Sequence, residues 1–291
     1  MATLRFGLLG PVTSHYGGTP VALGPPQRRA VLTALLLQPG QALTVAALRE
    51  RVWPGPPPAS AISAIHLHIH HLRRTLARYE GPGREHPARL ATHPGHTPEN
   101  VSYVLHVAPG HVDTDRFRHL ADDGADHQAR GDHHGALARF DAALALWRGE
   151  PLTGLQPSAF VRATRRTFTE IHLDTGKRRA TALLATGAVT RATLALQDLR
   201  DRHPDDESIV VALARALCAG GAESRATRLL GEELERRHRT DGIRPPALAH
   251  AHAALLHGTA LHDTAPHGTA PHHTALYDAA LHDTADRHDG S

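Results

Sequence analysis

The residues most capable of chemistry lie together at His66-Leu67-His68-Ile69-His70-His71, four imidazoles within six positions. Neutral imidazole is the commonest metal ligand among side chains. The spacing superficially fits a hydrolytic zinc motif, His-x-His-x-Asp-His. It also makes His66 and His70 an i,i+4 pair that one helix face would present together. Two features count against zinc chemistry. The position that the motif gives to aspartate is His70, and the sequence supplies no distant ligand set in strand-rich surroundings. The competing chemistry is recognition of a polyanion, in which arginine and imidazole meet phosphates and base edges. No catalytic residue, metal or cofactor is therefore assigned.

The elements that must hold these residues decide between the two chemistries. Ile62, Ile65, Ile69, Leu72 and Leu76 recur in steps of 3, 4, 3 and 4, which is one helical stripe. At about 100° per residue, Ser63, Leu67, His70, His71 and Arg74 lie opposite that stripe. His66 and Arg73 fall on one flank. His68 borders the other edge of the core and reads as a satisfied, half-buried histidine. Ser60 is placed to cap the helix. Pro56-Pro57-Pro58 makes a stiff connector before it, and Gly81-Pro82-Gly83 ends it.

The flanks complete a pattern. Leu4 to Val12 reads as a strand ending at Gly10-Pro11, and Thr19 to Leu23 as a second, after Gly17-Gly18. Pro25-Pro26 opens a helix with Ala30, Val31, Ala34, Leu35 and Leu37 on its apolar face, stopped by Pro39-Gly40. Thr44 caps the next helix, along which Val45, Leu48 and Val52 repeat until Trp53-Pro54-Gly55. Downstream, Arg89 to Thr92 and Tyr103 to Val107 read as a hairpin. Two helices, a Pro-rich loop, an amphipathic helix ending Leu72-Arg73-Arg74 and a hairpin describe a winged helix-turn-helix. Its third helix enters the DNA major groove.

Charge agrees with this placement. Residues 1–107 carry ten arginines against four glutamates, net +6, while residues 108–257 are nearly balanced at +1 and residues 258–291 are acidic at −4. A basic head meets a polyanion. Cys218 is the only cysteine, which excludes an internal disulfide and a multi-cysteine zinc site. No apolar run approaches the roughly 20 residues that span a bilayer, so no membrane partner is expected. The start, Met1 to Phe6, lacks the features of a signal peptide, and the chain reads as cytoplasmic.

Beyond residue 107 the pattern is helical. Gly131 is followed five residues later by Ala136, and Gly187–Ala192 and Gly221–Ala226 repeat that spacing. Gly187 to Gly221 is 34 residues, the period of a tetratricopeptide helix pair. The longer step from Gly131 to Gly187 fits an insertion between Gly149 and Pro157. Stacked helix pairs present a concave surface that usually binds protein. Residues 258–291 are low-complexity and read as a disordered tail. The fold class is therefore mainly α: an α+β winged helix-turn-helix at 1–107, then an all-α tetratricopeptide-like array at 108–257.

The motifs then carry a resemblance over nearly nine-tenths of the chain. They are Phe6 to Val12, Pro26 to Leu32, Leu48 to Trp53, Pro57 to Ala61 and Leu72 to Leu76 in the head. In the body they are Asp115-Arg116-Phe117, Ala143 to Gly149 and Arg202-His203-Pro204. The head resembles the winged helix of OmpR/PhoB-type regulators, and the body resembles the bacterial transcriptional activation domain. That order is similar to the Streptomyces antibiotic regulatory protein (SARP) family. The resemblance implies a pathway-specific activator of a secondary-metabolite gene cluster. Such a protein binds direct repeats in double-stranded promoter DNA near the −35 region, as tandem protomers, and recruits RNA polymerase.

Carried over position by position, the resemblance implies that His66, Leu67 and His71 approach base edges. Ser63, His70, Arg73, Trp53 and Tyr103 approach phosphate, and Thr92 and His93 lie at or near the minor groove. Arg74 joins the phosphate set from its helix position. Several positions depart from the family: Ile62 and His71 stand at or near usual arginines of the recognition helix, His93 replaces a wing arginine, and Ser102 a wing glycine. The usual charged helix start after His203-Pro204 is Asp205-Asp206-Glu207, and a usual tyrosine near Cys218 is missing. The alternative reading is a helical interaction scaffold whose winged helix no longer reads sequence.

Overall fold

The computed structural model describes residues 3–79, 88–258 and 261. The helix break read at residues 81–83 and nearly all of the acidic tail lie outside the described residues. The chain forms two compact units. Among the described residues, the first takes in those up to 119 together with 145–170, and the second takes in 120–144 together with 171–258 and 261.

The first unit begins with three antiparallel strands, β1 (Leu4–Gly7), β2 (Thr13–Tyr16) and β3 (Thr19–Pro20), in the order β1-β2-β3. The strand expected through Val12 stops at Gly7. The reason is that the next backbone groups turn to other partners: Leu8 N–H donates to Asp113 Oδ1 at 2.7 Å, and Leu152 N–H donates to Leu8 O at 2.9 Å. The second expected strand shrinks to Thr19–Pro20. Proline opens α1 (Pro26–Leu36), whose residues Val31 to Leu36 are all buried.

A short β4 (Leu43–Thr44) leads into α2 (Val45–Val52), where Thr44 Oγ1 accepts from Ala47 N–H at 3.1 Å as an N-cap should. Helix α3 runs Ala61–Leu76. Ser60 does not cap it. Its ψ of 3° is not the extended geometry of a capping residue, and Ala61 N–H instead donates to Pro58 O at 2.9 Å. The wing is the antiparallel pair β5 (Ala88–His93) and β6 (Ser102–Val107), and β6 also pairs with β4, giving the order β4-β6-β5.

The segment after residue 107 belongs to this unit up to 119. Asp113, the first residue of α4 (Asp113–Ala129), accepts from Leu8 N–H and Leu9 N–H (3.1 Å) and pairs with Arg148 at 3.0 Å. Burial pushes the Asp113 carboxyl up, and the two N–H donors and Arg148 oppose that shift. Phe117 meets Trp147 edge to face at 5.6 Å. The inserted residues between α5 (His133–Leu144) and α6 (Ala159–Ala185) follow the sheet end: Arg148 N–H donates to Leu9 O and Thr153 N–H to Gly10 O. Ser158 then donates to Arg51 O at 2.7 Å. Phe6 to Val12, Asp115 to Phe117 and the end of Ala143 to Gly149, noted separately in sequence, thus meet in space.

The second unit is built of helix hairpins. Gly131, Gly187 and Gly221 sit just past α4, α6 and α8 (Glu207–Ala219), with φ of 76°, 76° and 72°. In each case the following residue donates to a carbonyl five residues back: Asp132 to His127, Ala188 to Leu183, Ala222 to Leu217. That is the Schellman stop, which favours glycine because no Cβ resists a positive φ. Each following helix, α5, α7 (Val189–Arg202) and α9 (Glu223–Asp241), buries its motif alanine completely: Ala136, Ala192 and Ala226 are 0% exposed. A continuous core of Leu196, Ile209, Leu213, Leu217 and Leu230 extends to Leu248 of α10 (Pro246–Leu256). No described helix is long and apolar enough to cross a membrane.

Candidate nucleic-acid interface

Helix α3 is sharply two-faced. Ala61, Ile65, His68, Ile69, Leu72 and Leu76 are buried. Ile62, expected in that stripe, is only half-buried, and Ala61 and His68 take part instead. Ser63, His70 and Arg74 are exposed, and Leu67 is 55% exposed on the same side. An isolated exposed leucine on a polar face suits contact with a thymine methyl.

His68 differs from the sequence expectation. It is buried at 8% exposure, and neither ring nitrogen has a hydrogen-bond partner among the described residues. Desolvation, then the neighbouring Arg28 and His71, hold its pKa below the usual 6.5, so it is neutral at pH 7. It is a core residue with an orphaned imidazole rather than a satisfied one. His71 is half-buried, and its ring meets that of His70 at 5.8 Å. Desolvation, then Arg28, His70 and Arg74, lower its pKa as well.

The recognition helix is latched to the wing. The Tyr103 hydroxyl lies 2.6 Å from His66 Nδ1, and Arg73 Nε donates to Leu90 O at 3.1 Å. The Arg73 fork also bonds Thr92 Oγ1, and its guanidinium sits 5.6 Å from the Tyr103 ring centre. The structure therefore brings His66, Arg73, Thr92 and Tyr103 together. Tyr103 is 4% exposed and presents little surface to phosphate; its visible work is to orient His66. Burial raises the Tyr103 pKa, with Arg73 opposing, so the hydroxyl keeps its proton. Thr92 and His93 are exposed on β5, and Trp53 is half-buried just past α2, apart from this latch.

Sequence reading missed the second anchor of the wing. Arg49 of α2 pairs with Glu99 at 2.9 Å. Val45 N–H donates to Val101 O and Ala46 N–H to Glu99 O, at 2.8 and 3.1 Å. The long wing loop thus folds back on the start of α2. Arg28 was also missed, although it lies within the Pro26 to Leu32 motif. No carboxylate pairs with any cation of α3 among the described residues, and no group of three or more metal-ligating side chains is present among them.

A half-buried helix with an exposed polar face that carries Arg74, followed by a latched hairpin, defines a winged helix-turn-helix of the DNA-binding regulator class. Two family profiles match in chain order. One is described as "Transcriptional regulatory protein, C terminal" over residues 18–96, the other as "Bacterial transcriptional activator domain" over residues 112–256. The chain is 30% identical to the regulatory protein DnrI of Streptomyces peucetius over 256 residues, covering 87% of this chain and 92% of that protein. It is 31% identical to the regulatory protein AfsR of Streptomyces coelicolor, covering 79% of this chain but only 22% of AfsR. Among solved structures, Mycobacterium tuberculosis EmbR in complex with a low affinity phosphopeptide superposes with a TM-score of 0.80 at 27% identity, over 98% of this chain and 70% of that one. The chain belongs to the SARP family of transcriptional regulators.

Proposed function

We propose that the protein activates transcription of a secondary-metabolite gene cluster by reading promoter DNA through α3 and presenting its helical array to RNA polymerase. In this reading Leu67, His71 and His66 face base edges, and Ser63, His70, Arg73 and Arg74 serve phosphates. Thr92 and His93 enter the adjacent minor groove, and Trp53 reaches a phosphate from the end of α2. Tandem protomers occupy direct repeats, and the location is cytoplasmic. The reading assigns no enzymatic activity and needs no cofactor.

The observation that carries it is the outer face of α3. Ser63, Leu67, His70 and Arg74 are exposed on the helix whose other side is core, and no carboxylate neutralises its cations among the described residues. The full-length protein tests it when used to capture fragments of its own genome at fixed salt. Enrichment of promoter fragments bearing direct repeats, with more transcript from them when RNA polymerase is added, supports the reading. Equal retention of random DNA favours the interaction scaffold instead.

A further inference from the structure

We propose that one face of the N-terminal sheet is a binding site for a small phosphate-class oxyanion, separate from the DNA surface. A cavity of about 250 Å³ opens there, with Arg5, Thr13, His15, Asp113, Arg116 and Arg148 in its lining. No residue of α3 or of the wing contributes to it.

Strand register explains the convergence. Arg5 pairs with His15 and Gly7 with Thr13, so alternation puts Arg5, Gly7, Thr13 and His15 on one face. Gly7 forms the floor. A Cβ there would lie 2.2 Å from a terminal nitrogen of Arg148, so only glycine lets that guanidinium lie across the sheet. Arg148 is held in place by Asp113 at 3.0 Å, by Thr13 Oγ1 at 3.1 Å and by Pro11 O at 3.3 Å.

The charges do not balance. Three guanidiniums share the cavity with one carboxylate, and Asp113 is already engaged by Leu8 N–H, Leu9 N–H and Arg148. The Arg5 and Arg116 side chains have no ion-pair or hydrogen-bond partner among the described residues, while Arg118 and His119 of the same helix reach Asp115. Two uncompensated cations facing one cavity repel each other, and an anion between them reverses that term. Guanidinium forks suit a tetrahedral oxyanion, which accepts two bonds from each. The volume lies below the 300–1,000 Å³ usual for drug-sized ligands, which points to inorganic phosphate or the phosphate group of a small ester.

An occupant would join β1 and β2 to residues 113–116 and 145–148, so binding should stabilise the first unit. The test uses the full chain, with its thermal midpoint followed against inorganic phosphate, against glycerol phosphate, and against chloride at equal ionic strength. Saturable stabilisation by phosphate is expected. It should weaken about tenfold or more in affinity in the Arg5→Gln, Arg116→Gln double variant, with DNA affinity unchanged. The Arg5→Lys, Arg116→Lys variant keeps the charge without the forks and should fall between. Glycerol phosphate binding more tightly than phosphate would assign the natural ligand to an ester. An effect that never saturates, that chloride reproduces, or that the glutamine variant retains would overturn the proposal. So would a glutamine variant that binds DNA less tightly, since these arginines would then belong to the DNA surface.

Discussion

The two units hold themselves together in opposite ways. In the helical unit the fixing contacts are local: a glycine stop, a five-residue step and a buried alanine, repeated at Gly131, Gly187 and Gly221. In the first unit they are long-range. Asp113 reaches back 105 residues to Leu8, and Ser158 reaches back 107 residues to Arg51. The charges differ in the same sense. The helical unit pairs many of its cations within itself, as in Arg178–Asp174, Arg179–Asp141, Lys177–Asp206 and Arg237–Glu233. On α3, Arg73 bonds only neutral groups among the described residues, the Leu90 carbonyl and the Thr92 hydroxyl. A self-paired surface has little left for a polyanion, whereas an unpaired one keeps its field.

The largest effect should come from breaking the long-range lock. Asp113→Ala strands two buried N–H donors and uncouples Arg148, and should cost about 3 kcal/mol. Both tryptophans, Trp53 and Trp147, lie in the first unit, so intrinsic fluorescence reports its unfolding. A loss under about 1 kcal/mol in urea titrations would break the contrast. The lock also bears on truncation: a fragment ending at residue 107 lacks Asp113, Arg148 and Leu152, and should be less stable than the same unit in the full chain.

Local stops should cost less and act separately. Gly187→Ala and Gly221→Ala each force a Cβ into positive φ, at about 1 kcal/mol apiece. The two stops share no hydrogen-bond partner, although Val189 lies close to Gly220, so the double variant should show the sum within about 1 kcal/mol, by far-UV circular dichroism in urea. Strong non-additivity would mean that the stops are not local devices.

This contrast also explains what the sequence made legible. The glycine–alanine step and the α3 stripe are periodic signals, carried by neighbours in the chain, and both appear in the structure. The end of β1 at Gly7 is set by Asp113 and Leu152, far off in the sequence, and no local pattern announces it. His68 departs from its expected place for a related reason. Its position placed it at the edge of the stripe, but a polar type in the core has no periodic signature. At the interface, the helical positions of Ser63, Leu67, His70 and Arg74 were readable from phase alone. The bonding of His66 to Tyr103, and of Arg73 to the wing, required the hairpin to fold over the helix first.

A smaller effect concerns pH. Substitution of imidazole for arginine leads one to expect tighter DNA binding as pH falls from about 8 to 6. In the structure His71 is held below 6.5, by desolvation first and then by Arg28, His70 and Arg74. The free protein therefore carries a neutral His71 at pH 7. Nearby phosphates favour its protonated form, so the bound state holds more protons than the free state, and affinity rises as pH falls. The lowered pKa shifts this window downward, so the gain should appear below about pH 7, with His71 contributing no more than one proton per complex. Isotherms of wild type and His71→Gln across that range check it. A response that survives the substitution belongs to another group.

The most direct measurement is the salt dependence of DNA binding by the full chain with Arg74 replaced by alanine. Arg74 is exposed on the outer face of α3 and has no ion-pair partner among the described residues, so removing it should leave the fold intact. If α3 lies against the duplex, affinity falls for all sequences alike. The slope of log affinity against log salt should then become shallower by about one unit. A full-length Arg74→Ala protein that is folded, yet keeps the wild-type slope and affinity, would contradict the assignment of α3 as the DNA-reading helix.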